Sequence, residues 1–167
     1  MRKDGFTLME LLVVIAILGI LSLIAVPNAI DLYNEGVIKE MKIQESNVRD
    51  AANLFLEDYC LSKLDERLIC PSSYEDGVYD STKDRIVEKY VCLNDMSQGR
   101  DSYISGKVMY KKQSCNGFVT YYYDETLGVY NNPKTYLFCG EDEKTGYFTD
   151  STIDTSRYCE CFNNCDS

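Results

Sequence analysis

The sequence contains no histidine, and this absence narrows the chemistry that the protein can perform. Histidine is the commonest general base in enzymes, and it completes the Ser-His and Cys-His nucleophile systems. The chain also lacks the G-x-S-x-G and S-x-x-K motifs, a phosphate-binding glycine loop and the spacing of a calcium-binding EF-hand. These absences predict that the protein is not an enzyme and that it uses no cofactor and no metal.

Basic residues are scarce. The chain has 17 Lys and Arg against 27 Asp and Glu, which gives a formal net charge of −10. Residues 118–167 alone carry nine acidic and three basic side chains. Because an acidic surface repels phosphate backbones, nucleic acid is not an expected partner. One cluster of basic residues, formed by Lys107, Lys111 and Lys112, lies beside an aromatic residue, Tyr110.

One long apolar run is present, close to the start of the chain. Residues 11–30 contain no charge, and twenty helical residues span about 30 Å, the thickness of a bilayer's hydrocarbon core. Arg2 and Lys3 precede the run, so the positive-inside rule keeps this end cytoplasmic. Glu10 borders the run, and an acid at membrane depth costs about 2.5 to 3.5 kcal/mol. A plain anchor or a removable signal peptide leaves this acid without a purpose.

The segment "GFTLMELLVVIAILGILSLIAVPN" (residues 5–28) resembles the N-terminal signature of type IV pilins and pseudopilins. The resemblance implies that residues 1–5 are a class III leader peptide, which a prepilin peptidase removes between Gly5 and Phe6, and that Phe6 is then N-methylated. It also implies that the Glu10 carboxylate meets the Phe6 amine of an adjacent subunit and sets the axial register of a filament. Both charges lie in a poor solvent, so pairing them favours assembly.

A helical stem is predicted from the run onward. Residues 6–28 form its hydrophobic transmembrane and polymerisation half, and residues 29–61 form an amphipathic half. Pro27 lacks an N–H group and loosens the preceding turn, and we expect curvature there. The resemblance further implies that the segment from Gly19 to Pro27 loses helix on assembly. The apolar residues of the amphipathic half recur at spacings of three, four or seven and form one helix face that needs covering. They are Ile30, Tyr33, Val37, Met41, Val48, Ala52, Phe55 and Tyr59.

The rest of the chain is predicted to connect the stem to a β-sheet and to form that sheet. Residues 62–105 are polar and irregular, with one good strand at residues 85–93, and we expect a connecting region there. Residues 106–167 contain short β-branched and aromatic segments between turn residues, typical of an antiparallel sheet head with a disulfide-bonded tail. One sheet face packed on the stem's apolar stripe gives an α+β fold. The segments expected as strands are 107–113, 117–125, "LGVYNN", "TYLFC" and an edge hairpin within 143–150.

The cysteines predict an oxidising compartment and four disulfides, with this part of the chain outside the cytoplasm. Eight cysteines allow 105 pairings, and the spacing puts Cys60 within reach of Cys70 across a short loop. The rival interpretation is a zinc site in "CECFNNC", which lacks a C-x-x-C pair and any histidine. The disulfide candidates are Cys60, Cys70, Cys92, Cys115, Cys139, Cys159, Cys161 and Cys165.

The resemblance favours a structural subunit that polymerises into a type IV pilus filament supporting adhesion, motility or aggregation. Its expected partners are copies of itself, the prepilin peptidase, the pilus assembly platform, minor pilins, and the cytoplasmic membrane before assembly. Three alternatives keep the same architecture: a pseudopilin of a secretion system, a minor tip subunit and a component of a DNA-uptake pilus. Outside the family, a membrane-anchored, disulfide-rich ectodomain that binds a ligand remains open.

Overall fold

The computed structural model describes residues 7–61, 70–97, 102–104, 106–141 and 145–162. The chain forms two compact units, Met1–Glu40 and Met41–Ser167. The first helix, α1 (Leu8–Leu56), contributes residues to both. It ends in a π-helical turn, Glu57–Leu61, which agrees with the helix end predicted near residue 61.

In the first unit, α1 presents apolar side chains to its surroundings. Every described side chain between Leu8 and Ile30 is exposed, and Leu8 and Leu23 are 81% and 77% exposed. The helical backbone continues through Gly19 and Pro27 without a break. The helix is long and apolar enough to cross a membrane. Curvature at Pro27 and melting between the two residues on assembly stay predictions.

In the second unit, α1 buries one face. The buried residues follow helical spacing, so they form a stripe, and four of them belong to the face predicted to need covering. Polar and charged residues occupy most of the other positions, as expected for an amphipathic helix, and the exceptions Ile43 and Leu54 are exposed. The buried stripe consists of Met41, Val48, Ala51, Ala52, Phe55 and Leu56.

The sheet is antiparallel and has the strand order β1-β2-β4-β5-β6, with β3 paired to β4. Two short helices and a C-terminal 3-10 segment, Thr155–Cys161, accompany it. The predicted α+β fold is confirmed. The elements are α2 (Ser72–Glu75), β1 (Val78–Asp80), β2 (Arg85–Cys92), α3 (Leu93–Ser97), β3 (Met109–Tyr110), β4 (Gln113–Asp124), β5 (Val129–Cys139) and β6 (Tyr147–Phe148).

The strand limits differ from the expected segments in several places. The segment 107–113, expected as one strand, contains β3, a turn at Lys111 and Lys112, and the first residue of β4. Strands β1 and β2 lie within residues 62–105, so the sheet already begins inside the expected connecting region. The segments "LGVYNN" and "TYLFC" contribute to a single strand, β5, although Pro133 lies between them. A β-bulge explains the continuity, because the register shifts between Thr120 and Tyr122 and leaves two residues of β5 opposite one of β4.

The sheet is covered on both faces. Tyr121 turns toward α1 and donates its hydroxyl to Asn53 Oδ1 at 2.9 Å. Tyr122 turns to the opposite face, where its hydroxyl lies 3.4 Å from that of Tyr136. On that second face the C-terminal 3-10 segment packs its Tyr158 ring on Phe118, with centroids 4.1 Å apart. The tyrosines therefore alternate between faces, as a strand requires.

Glu45 of α1 joins the helix to one edge of the sheet. Its Oε1 accepts hydrogen bonds from Tyr147 Oη at 2.5 Å and from Thr149 Oγ1 at 2.9 Å. Its backbone carbonyl accepts a third from Thr135 Oγ1 at 3.1 Å. One helical residue thus fixes two neighbouring strands and the segment that follows β6.

Three disulfides lie in the described part of the chain, joining Cys60 to Cys70, Cys92 to Cys161, and Cys115 to Cys139. The pairing of Cys60 with Cys70 is the one that the short loop between them led us to expect. Each contributes on the order of 2 to 4 kcal/mol, mainly by restricting the unfolded chain. Because Cys161 is oxidised, it offers no thiolate to a zinc site in "CECFNNC". The Cys159 side chain and Cys165 lie outside the described part of the structure.

A buried acid pins the C-terminal segment to the sheet. Glu88 on β2 is only 7% exposed, and Tyr158 donates its hydroxyl to Glu88 Oε1 at 2.8 Å. Burial raises the pKa of the Glu88 carboxyl, and the hydrogen bond from Tyr158 offsets part of that rise. The folded state therefore disfavours the ionised carboxylate relative to the unfolded chain.

We predict that Glu88→Gln gains stability relative to the wild type as pH rises. A carboxyl whose pKa is raised on folding contributes stability at low pH and loses it as pH rises through the folded pKa. The amide stays neutral and its oxygen still accepts from Tyr158. Thermal unfolding of both proteins in detergent, from about pH 4 to about pH 7, should show the difference in Tm growing in favour of the variant. Exposed Glu75→Gln is the control, and an equal pH trend in both variants would contradict the interpretation.

Candidate functional site

The first turn of α1 contains a reciprocal hydrogen-bonded cap. Glu10 Oε2 accepts the Thr7 backbone N–H at 2.9 Å and the Thr7 hydroxyl at 3.0 Å. In return, the Glu10 backbone N–H donates to Thr7 Oγ1 at 3.3 Å. This arrangement is a capping box, in which a threonine and a glutamate three residues later satisfy backbone donors at the helix start. The acid that seemed misplaced in an apolar segment thus has a local role.

The cap leaves part of the carboxylate available. Both bonds from Thr7 end on Oε2, and among the described residues none donates to Oε1. A carboxylate oxygen in apolar surroundings is stabilised most by a cationic donor. Oε1 of Glu10 is therefore suited to accept a hydrogen bond from an ammonium group of another molecule, while Oε2 keeps its hydrogen bonds to Thr7.

The surroundings of Glu10 are apolar and uncovered. Its neighbours Leu8, Met9, Leu11 and Leu12 are between 51% and 81% exposed in the isolated chain. Contact with lipid or with another helix would remove this surface from water and would also desolvate the acid. A partner that brings a positive charge would offset this desolvation when it covers the turn.

The structure places the residues predicted for this site as follows. Glu10 lies in the first turn of α1, and Gly19 and Pro27 lie within its helical backbone. Gly5 and Phe6 lie outside the described residues, so cleavage between them stays a prediction. Thr7 was not among the residues predicted for this site, although the T-x-x-E pattern of a capping box, Thr7 to Glu10, is visible in the sequence.

Comparison with known proteins identifies the segment that contains this turn. Residues 1–26 match the family model described as the prokaryotic N-terminal methylation motif. This match supports a type IV pilin or pseudopilin N-terminus. The predicted resemblance is confirmed, and with it a prepilin-type leader and a methylation motif. No curated protein and no solved structure matches the chain. Members of the type IV pilin family are structural subunits and not enzymes.

A second feature, in the sheet unit, is the predicted basic cluster. Lys111 and Lys112 form the two-residue β3–β4 turn between the paired residues Tyr110 and Gln113. Both lysines have positive φ, at 45° and 72°. Two-residue turns with positive φ at both positions normally use Asn-Gly or Asp-Gly, because a side chain with a Cβ clashes there. Each lysine therefore costs on the order of 1 kcal/mol relative to a residue that tolerates this conformation.

We predict that Lys111→Asn with Lys112→Gly stabilises the sheet unit by about 1 kcal/mol, since the favoured turn residues replace strained ones. Denaturant unfolding of the detergent-solubilised full chain, followed by tyrosine near-UV circular dichroism, measures the change. Lys107→Asn is the matched control, because it removes a nearby charge without touching the turn. An unchanged or lower free energy of unfolding in the double variant would show that the turn is not strained.

Proposed function

We propose that the chain is the structural subunit of a type IV pilus. In this proposal, prepilin peptidase cuts between Gly5 and Phe6, Phe6 becomes N-methylated, and the mature chain polymerises through its N-terminal helix. The precursor resides in the cytoplasmic membrane, and the product is an extracellular filament on the cell surface. The methylation motif at residues 1–26 supports processing and assembly of this kind.

The observation that carries the proposal is the capped, half-satisfied Glu10 carboxylate inside an apolar, uncovered helix. Cleavage after Gly5 would create an amine at Phe6, four residues and about one helical turn from Glu10. The amine of an adjacent subunit is a suitable donor for Oε1, because it arrives with an apolar helix that covers the same surface. Leaving one member of such a pair uncompensated costs about 3 to 5 kcal/mol.

Two further roles fit the same N-terminus. A pseudopilin of a secretion or DNA-uptake system would use the same turn in a short filament, and a minor pilin would use it at the filament tip. The disulfide-bonded sheet unit favours a subunit exposed outside the cell, because disulfides persist in oxidising compartments. A membrane-anchored ectodomain that never polymerises would keep residues 1–5 attached.

We predict that Glu10→Gln leaves the protein in the membrane and abolishes its incorporation into filaments. Glutamine keeps the size of the side chain and an oxygen for the Thr7 N–H, so it removes the charge and leaves the helix cap. A loss of about 3 kcal/mol per contact corresponds to more than a hundredfold lower association. The measurement is the amount of subunit in filaments sheared from cells, relative to the amount in the membrane fraction.

Thr7→Ser is the control for this experiment, because it preserves the hydroxyl and the backbone donor of the cap. The control should assemble normally. Wild-type filament yield from Glu10→Gln would mean that the carboxylate charge plays no part in assembly, and the pairing role would be lost.

A further inference from the structure

The β3–β4 turn is a local concentration of positive charge in an acidic protein. Residues 102–123 contain three lysines and no acid, whereas the whole chain carries a net charge of −10. Lys107, Lys111 and Lys112 are exposed, and no carboxylate of the described residues lies within 4.0 Å of their ammonium groups. The Lys111 ammonium lies over the Tyr110 ring, 5.1 Å from its centroid. Two of these cations occupy backbone positions that lysine rarely adopts, and such strain is typical of residues kept for binding.

Hydrogen bonds from α1 hold strand β3, which leads into the turn. The Gln44 amide donates to the Met109 carbonyl at 3.4 Å and accepts the Met109 N–H at 3.3 Å. Tyr110 is only 8% exposed, and the centroid of its ring lies 5.5 Å from that of Tyr147. The Tyr147 hydroxyl in turn donates a hydrogen bond to Glu45 of α1. A surface held in place before binding loses little conformational entropy when a partner arrives. These contacts therefore fix the backbone from which Lys111 and Lys112 project.

Residues 31–40 of α1 carry the opposite charge. They contain three acids and one lysine, and Asp31 and Glu35 lie four residues apart, on the same side of the helix. Both acids are exposed, and the adjacent Leu32 and Tyr33 are 69% and 64% exposed. A subunit that covers these apolar side chains also takes the carboxylates out of water. Covered carboxylates need cationic partners, as Glu10 does.

We infer that the β3–β4 turn binds the α1 helix of a second copy of this chain, with Lys111 and Lys112 paired to Asp31 and Glu35. The inference rests on the proposed function and names a contact within the filament. The two surfaces are different, so each copy offers one to a neighbour and receives the other. Contacts of this heterologous kind produce open-ended assemblies, and complementary charges speed encounter and fix the register.

The first test separates assembly from folding. Lys111→Asn with Lys112→Gly removes both cations and also relieves the strain in the turn. We expect this variant to be more stable than the wild type and yet to reach sheared filaments at least about tenfold less efficiently. If the lysines served only the fold, stability and filament yield would change in the same direction. Wild-type yield from this variant overturns the inference.

The second test exchanges the charges. Lys111→Glu with Lys112→Glu should block assembly, and Asp31→Lys with Glu35→Lys in the same chain should restore filaments. The control places the two helix substitutions in the Lys111→Asn, Lys112→Gly background, where no charge is available to pair and no rescue is expected.

The outcomes distinguish this contact from the proposed function. Failure of the exchanged chain to assemble overturns the inference, and it is the result expected if the turn binds an anionic membrane surface or nucleic acid. Normal yield from the lysine variants alongside failure of Glu10→Gln overturns the inference alone. A wild-type chain that forms no filaments overturns the proposed function.

Discussion

The stability of a carboxylate in apolar surroundings governs the N-terminal part of this protein. Glu10 lies in the first turn of a helix whose next twenty residues carry no charge, and the capping box with Thr7 satisfies only one of the two carboxylate oxygens. Any partner that covers the helix, whether lipid or protein, increases the cost of the remaining charge. In the proposed filament, a second helix of the same kind brings its own amine and lowers this cost.

The sheet unit is cross-linked by disulfides of the kind that persist in oxidising compartments. Helix α1 covers one sheet face, and the C-terminal 3-10 segment covers the other. The disulfide Cys60–Cys70 lies beside the end of the helix, and Cys92–Cys161 links the sheet to the C-terminal segment. Glu45 and Glu88 add hydrogen bonds at these two interfaces.

The sequence predicts those parts of the structure that depend on local pattern. The apolar run, the helical spacing from Met41 to Phe55 and the alternation of Tyr121 and Tyr122 follow from residues a few positions apart. The helix cap formed by Thr7 and Glu10 is likewise indicated by a local sequence pattern, T-x-x-E. Long-range pairings were not, since nothing local joins Cys92 to Cys161 or makes β5 continue past Pro133. The strain at Lys111 and Lys112 was hidden for the same reason, because it depends on where β3 and β4 pair.

In the proposed filament, proteolysis frees an amine at Phe6, and this amine pairs with Glu10 of a neighbouring copy. Intact-mass spectrometry of filaments sheared from the cell surface tests it most directly. We expect the abundant subunit to have the mass of a chain beginning at Phe6 with one added methyl group and its disulfides intact. Material that retains residues 1–5 and remains monomeric in the membrane would contradict it.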